Sequence, residues 1–303
     1  MFSHYSSLSK VGYIPYNPAK VNQDRALELV RFNGSDTQAL FAVFDGHGQL
    51  GHEVSTFLTQ ELPRQMAKQL NSAGGSGDVS SALSRAFVDT NGVLAQRSGI
   101  DCTFSGSTAI VVYLSDRHIY TCNVGDSRAV LARRSFTTQR FTAHPLSIDQ
   151  KPDRPDERRR ILECRGRVEA CKGSRGEDIG PPRVWLAAQD VPGLAMSRSF
   201  GDLIAASVGV IARPEVDERL RGGSTTGSGS GSGSGDECFI VLGSDGVWEF
   251  MSDEEVVELV GRVGGLTGER AEDAARAVVE EATRRWQREE EVIDDITCVI
   301  VYF

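Results

Sequence analysis

The chain has 303 residues, 40% of them hydrophobic, and a formal net charge of -9. That much apolar material can bury a substantial core, and by length alone about two domains would be expected. The acidic balance argues against a dedicated nucleic-acid binder, which carries a basic excess. No stretch reads as a signal peptide or a membrane span, and Phe2 breaks the myristoylation pattern.

In chain order, apolar and β-branched enrichment predicts a strand over 39–44, then helices over 51–70 and 78–97. Strands follow over 107–114, 118–124 and 128–133, then a helix over 155–163. A strand over 238–243, helices over 253–262 and 269–288, and a strand over 297–303 close the chain. Pro63 is expected to kink or split the first helix, and Ser252 with Glu255 reads as a capping box. The basic run Arg158-Arg159-Arg160 is answered by Asp153, Asp156 and Glu157, as on a solvated helix face. The Gly/Ser repeat over 222–235 predicts a flexible coil. It is a loop inside one domain, 1–303, if the acids on its two sides share a site.

Strands and helices come in adjacent pairs, unlike the alternation of a doubly wound fold. The fold class expected is α+β, with two sheets and helices packed outside them. The six cysteines lack regular spacing, and Cys122, Cys238 and Cys298 fall inside strand-like runs. Cys164 and Cys171 have no second pair at zinc-ligand spacing. Buried reduced thiols are the default, which points to a cytoplasmic or nuclear compartment.

The chemistry is carried by acids at the edges of apolar runs: Asp24, Asp45-Gly46, Asp245-Gly246 and Asp294-Asp295. Each Asp-Gly pair alone is a turn signal. Together they suit Mg²⁺ or Mn²⁺, which take oxygen ligands, and a two-metal centre with ions about 3.5–4 Å apart needs a bridging carboxylate. Asp45 is the best bridging candidate, because Gly46 lets a backbone carbonyl approach as well. His47, two residues on, is either a buried structural histidine or a general acid for a leaving alkoxide.

At this point the chain resembles a metal-dependent protein phosphatase of the PPM family, the type 2C serine/threonine phosphatases. The stretches that carry the resemblance are Phe41 to Gly48, Gly106-Ser107-Thr108-Ala109 and Asn123 to Ala129. Leu194 to Asp202, Ser244 to Trp248 and Asp294 to Thr297 follow in the family's order, over about residues 20–303. The resemblance implies two stacked antiparallel sheets flanked by helices on both faces, with two Mn²⁺ or Mg²⁺ ions at one end. It implies that Asp45 bridges the ions, the Gly46 carbonyl binds one, and Asp245 and Asp294 bind the other. Asp24 would act directly or through water, and Asp126 would hold a weaker third ion or else orient Arg128. The implied reaction removes phosphate from phosphoserine and phosphothreonine in proteins. In that implied reaction a metal-activated water would attack, His47 would be the acid, and no phosphoenzyme would form.

The chain departs from the pattern at two places. Gln23 stands where many members carry Glu, and its neutral amide offers an oxygen but less charge. Ala19 stands where some members place an arginine that holds phosphate, leaving Lys20 either to supply a point charge or to be a surface lysine. Arg183 falls where members carry a flap that sets substrate preference. Three rivals are weighed. Cys122 to Arg128 has the C-x₅-R spacing of cysteine phosphatases, but a strand rather than a helix follows it. A metal-free scaffold would have lost an acid, and these are intact. A small-molecule phosphatase is disfavoured by the long charged stretch 144–183, which suits a protein surface. The expected partners are phosphoproteins, not nucleic acid or membrane, and nothing in the sequence demands a dimer.

Overall fold

Two five-stranded antiparallel sheets lie face to face in the computed structural model, which describes residues 2–74, 78–221 and 235–303. The predicted coil over 222–235 lies outside the described residues except for Gly235, which opens a strand. The first sheet has the order β1 (His4–Lys10), β16 (Ile296–Tyr302), β15 (Gly235–Gly243), β8 (Arg128–Ser135), β9 (Phe141–Pro145). The second has the order β14 (Glu215–Leu220), β7 (His118–Val124), β6 (Ala109–Leu114), β3 (Ala39–Phe44), β2 (Arg25–Val30). The first and last strands of the chain pair with each other, His4 opposite Tyr302.

Phe41, Val43, Ile110 and Val112 of one sheet meet Leu131, Ile240, Leu242 and Val299 of the other in a shared core. The alternate residues point outward but are buried too. Leu40, Ala42 and Phe44 lie under α1 (Gly51–Ala73) and α2 (Val79–Ala95). Phe239, Val241 and Ile300 lie under α6 (Asp253–Gly264) and α7 (Ala271–Glu289). Strands covered on both faces must be apolar at every position, which is why 39–44 and 238–243 read as unbroken runs.

The predicted elements correspond closely, with instructive differences. The helix around Pro63 is not split: it runs unbroken through residue 63, where Leu58, Leu62 and Met66 are buried. That packing outweighs the one backbone hydrogen bond that proline removes. The strand expected over 107–114 is interrupted at Thr108, whose N–H donates to the Asp45 carbonyl at 2.9 Å. The capping box is present, Ser252 N–H donating to Glu255 at 2.9 Å and Glu255 N–H to the Ser252 hydroxyl at 3.3 Å. Arg158 and Arg159 face solvent as expected, while Arg160 turns inward.

Smaller elements surround one end of the sandwich. The ribbon β13 (Phe200–Gly201), β5 (Gly106–Ser107), β4 (Gly46–His47) links the segment after β3 to two distant loops. A three-stranded sheet, β10 (Arg167–Lys172), β11 (Asp178–Leu186) and β12 (Gln189–Leu194), packs with α3 (Pro155–Glu163) and α4 (Leu203–Ala206). These share a separate cluster of Ile161, Val184, Met196 and Val208. One further helical turn, α5 (Asp245–Trp248), follows β15.

Candidate active site

β3 and β15 are interior strands of opposite sheets, and each is followed by an Asp-Gly pair at the same end of the sandwich, Asp45-Gly46 entering β4 and Asp245-Gly246 opening α5. Asp45 is fixed there through its backbone: its N–H donates to the Thr108 hydroxyl at 3.1 Å, and its carbonyl accepts from Thr108 N–H at 2.9 Å. Both glycines are required by crowding. A Cβ on Gly46 would sit 2.3 Å from the Gly51 carbonyl oxygen, and one on Gly246 only 2.1 Å from that of Asp295. Asp24 precedes β2, the neighbour of β3, and Asp294 precedes β16, the neighbour of β15. Asp126 lies in the turn from β7 to β8, where the chain crosses between sheets. Five carboxylates from both sheets therefore converge.

Electrostatics show how close they are. Asp45 is held well above the usual carboxylate range, by burial first and then by Asp24, Asp245, Asp294 and Asp126. Asp245 is raised in the same way, by burial and by Asp126 and Asp294, and it shares a hydrogen bond with Asp45. Burial lifts Asp24 to about 7 although Ser244 donates to it at 2.7 Å. Asp294 is raised by burial, while the Asp295 N–H donating to its Oδ1 at 2.7 Å opposes the rise. Among the described residues, buried Asp24 Oδ1, Asp126 Oδ1 and Asp245 Oδ1 have no hydrogen-bond partner. Such a set cannot all ionise without added positive charge, and its donors are all hard oxygens. The residues present fit divalent cations.

Asp295 plays a different part from its neighbour. Its carboxylate accepts from Gly12 N–H at 2.7 Å, Gln23 N–H at 2.8 Å and the Lys20 ammonium. It thereby clamps the 12–23 segment, and Asp294 is the member of the pair left facing the cluster. Gln23 donates its amide N–H to the Gly48 carbonyl at 2.8 Å and steadies the Asp45 turn. Lys20 is thus engaged by Asp295 beside the site. Arg183 sits on β11 of the small sheet, with its guanidinium on the Gly193 carbonyl at 2.9 Å.

Asp126 does not orient Arg128. Arg128 instead grips Asp149 through two hydrogen bonds of 2.9 and 2.8 Å and reaches Asp253 at 2.6 Å. Asp126 receives the Lys151 ammonium at 2.6 Å. Lys151 also lies within the field of Asp245, and no motif in the sequence singled it out.

His47 gives its Nε2 to Asp202 Oδ2 at 2.6 Å, while its buried Nδ1 has no partner among the described residues. Burial alone would push the imidazole pKa down, but the Asp202 charge and hydrogen bond and the Asp126 charge outweigh it and raise it. Asp202 closes the Ser-Arg-Ser-Phe-Gly-Asp stretch, 155 residues away, and adopts a left-handed backbone at φ 46° that the sequence does not announce. Its other contact is the Ser199 hydroxyl, which donates to Oδ2 at 2.6 Å.

The cysteine rival does not survive. Cys122 is buried within β7, burial drives its thiol far up, and Arg128 is already committed to carboxylates. A further acidic group, Asp156, Glu157 and Glu215, is no match for the cluster above, because Arg154, Arg160 and Arg198 neutralise it.

Two antiparallel sheets between helical layers, with carboxylates gathered where their central strands end, define the architecture of metal-dependent protein phosphatases. The chain belongs to the protein phosphatase 2C family, a family of serine/threonine phosphatases, and the family's profile matches residues 20–290. It is 36% identical over 287 residues to "Probable protein phosphatase 2C 64" of Oryza sativa subsp. japonica, covering 93% of this chain and 62% of that protein. It is likewise 36% identical to "Probable protein phosphatase 2C 35" of Arabidopsis thaliana, covering 98% of this chain and 83% of the relative. The chain thus spans under two thirds of the rice relative's length. Among solved structures, a serine-threonine phosphatase 2C from Toxoplasma gondii shares the fold, with a TM-score of 0.78 at 21% identity over 99% of this chain and 94% of that one.

Proposed function

We propose that the chain hydrolyses phosphoserine and phosphothreonine in phosphoproteins, using two Mn²⁺ or Mg²⁺ ions and a weaker third. The convergence of five carboxylates at one end of the sandwich, three of them with a buried oxygen that has no hydrogen-bond partner among the described residues, carries this reading. Asp45 would serve both ions, the Gly46 carbonyl one of them and Asp245 and Asp294 the other, with Asp24 in support and Asp126 toward the third. Bound divalent cations supply Lewis acidity toward the phosphoryl oxygens and a nucleophile from water at neutral pH, so no phosphoenzyme is needed.

The chain's own residues supply position and a proton. Thr108 and the two glycines fix the Asp45 and Asp245 turns, and Asp295 fixes the strand that presents Asp294. With Nε2 committed to Asp202, Nδ1 of His47 is the atom left to carry a proton to the departing seryl or threonyl oxygen. The Asp202 carboxylate favours the imidazolium and fixes the ring plane. Lys151 supplies positive charge to Asp126.

The test is hydrolysis of a phosphothreonine peptide with Mn²⁺, with EDTA, and after cysteine alkylation. Activity that requires Mn²⁺ and survives alkylation is expected. Turnover that persists in EDTA would overturn the reading.

A further inference from the structure

Beside His47 the protein exposes two large apolar side chains that its core does not use: Phe104 is 51% exposed and Leu203 41%. They stand on segments stitched together by backbone hydrogen bonds. Leu203 N–H donates to the Cys102 carbonyl at 2.9 Å, Ile204 to Thr103 at 3.2 Å and Asp202 to Ser105 at 3.0 Å. The loop after His47 is pressed against the same place. A Cβ on Gly48 would lie 2.2 Å from the Phe104 carbonyl oxygen, and Leu50 N–H donates to the Ser105 hydroxyl at 3.0 Å. Asp202, the residue before Leu203, holds His47. Both apolar side chains are therefore fixed on the proton-donor side of the carboxylate cluster.

We infer that Phe104 and Leu203 form an apolar subsite for a substrate residue adjacent to the phosphorylated one. The enzyme then favours phosphopeptides with a bulky aliphatic or aromatic neighbour. The inference rests on the phosphatase reading above. His47 can serve only the leaving oxygen, so the seryl or threonyl carbon and its flanking chain must lie on its side of the site. A neighbouring residue along an extended peptide is about 3.5 Å per step away, within reach of the rim. Apolar surface held open to water at such a mouth gains by being covered. An acidic neighbour would gain nothing there and would meet the exposed carboxylate of Asp101 and the carboxylate cluster itself.

The test is a set of phosphothreonine peptides in which each position from two before to two after the phosphothreonine is Leu, Ala or Glu, assayed with Mn²⁺. At one adjacent position kcat/KM should favour Leu over Glu by about tenfold, the scale of a small apolar contact. The double variant Phe104→Ser/Leu203→Ser should bring that ratio below about twofold, and Phe104→Leu should retain it. Ile179→Ser, which removes an exposed apolar side chain on β11, should leave the ratio at the wild-type value. A wild type indifferent to all neighbours, or a preference that persists in the double variant, would overturn the subsite. A wild type that turns over none of the peptides would overturn the phosphatase reading and the subsite with it.

Discussion

Glu157 is fully buried in α3 and ringed by cations. Arg160 donates to it at 2.9 and 2.6 Å, and Arg198, itself only 10% exposed, at 2.7 Å. Burial alone would raise its carboxyl pKa, but these guanidinium bonds win and hold it at about 2. Its folded pKa thus lies below the ordinary 4.5, so the stabilisation is fully present above 4.5 and is lost as pH falls toward 2. The difference corresponds to about 3 kcal/mol at pH 7, and to about 1.5 kcal/mol at pH 3. Glu157→Gln keeps an acceptor oxygen and removes the charge. Asp156 and Glu215 remain to share the arginines, so the loss should be about 3 kcal/mol, the lower end for breaking a buried pair. The assay is urea unfolding followed by tryptophan fluorescence, for both proteins at fixed Mn²⁺, at pH 7 and pH 3. A deficit below about 1 kcal/mol at pH 7 would refute the reasoning, as would a gap that fails to narrow at pH 3. The variant should also need more Mn²⁺ for full activity. Ser197 ties this network to Gln150 at 2.8 Å, and Gln150 in turn accepts from Gly125, beside Asp126, at 2.7 Å.

Asp245→Asn should lower kcat by at least about a thousandfold while leaving the metal-free melting temperature unchanged or higher, because one of several repelling carboxylates is gone. Thermal melts with and without Mn²⁺ check both parts, since the wild type should gain stability from the ion and the variant little. Normal turnover at saturating Mn²⁺ would remove Asp245 from the site. Asp202→Asn keeps a hydrogen-bonding group on His47 but removes the charge that favours imidazolium. It should slow phenyl phosphate, a poor leaving group, about tenfold more than p-nitrophenyl phosphate. An equal loss on both substrates would mean that the His47–Asp202 pair does not deliver the proton.

The sequence by itself determined the central strands and the acids at their ends. A strand buried on both faces must be apolar throughout, so 39–44 and 238–243 stand out with no knowledge of their partners. Gly46 and Gly246 mark the turns that follow because no side chain fits there. The Ser252 cap was legible for the same reason, since its hydrogen bonds close within one helical turn. Strands β1, β2 and β14 were not legible. All three lie at sheet edges; β1 and β14 are polar and look like loops until a neighbour pairs with them, while β2 is a short run broken by Glu28.

Only the tertiary structure decided which acid of Asp294 and Asp295 faces the cluster, because the answer depends on Gly12, Gln23 and Lys20, nearly the whole chain away. It alone joined His47 to Asp202 and Asp126 to Lys151, and sent Arg128 to Asp149 and Asp253. Short-range sequence records what one turn or one strand requires. Charge pairing between distant loops is set by the sheets that carry them to one place.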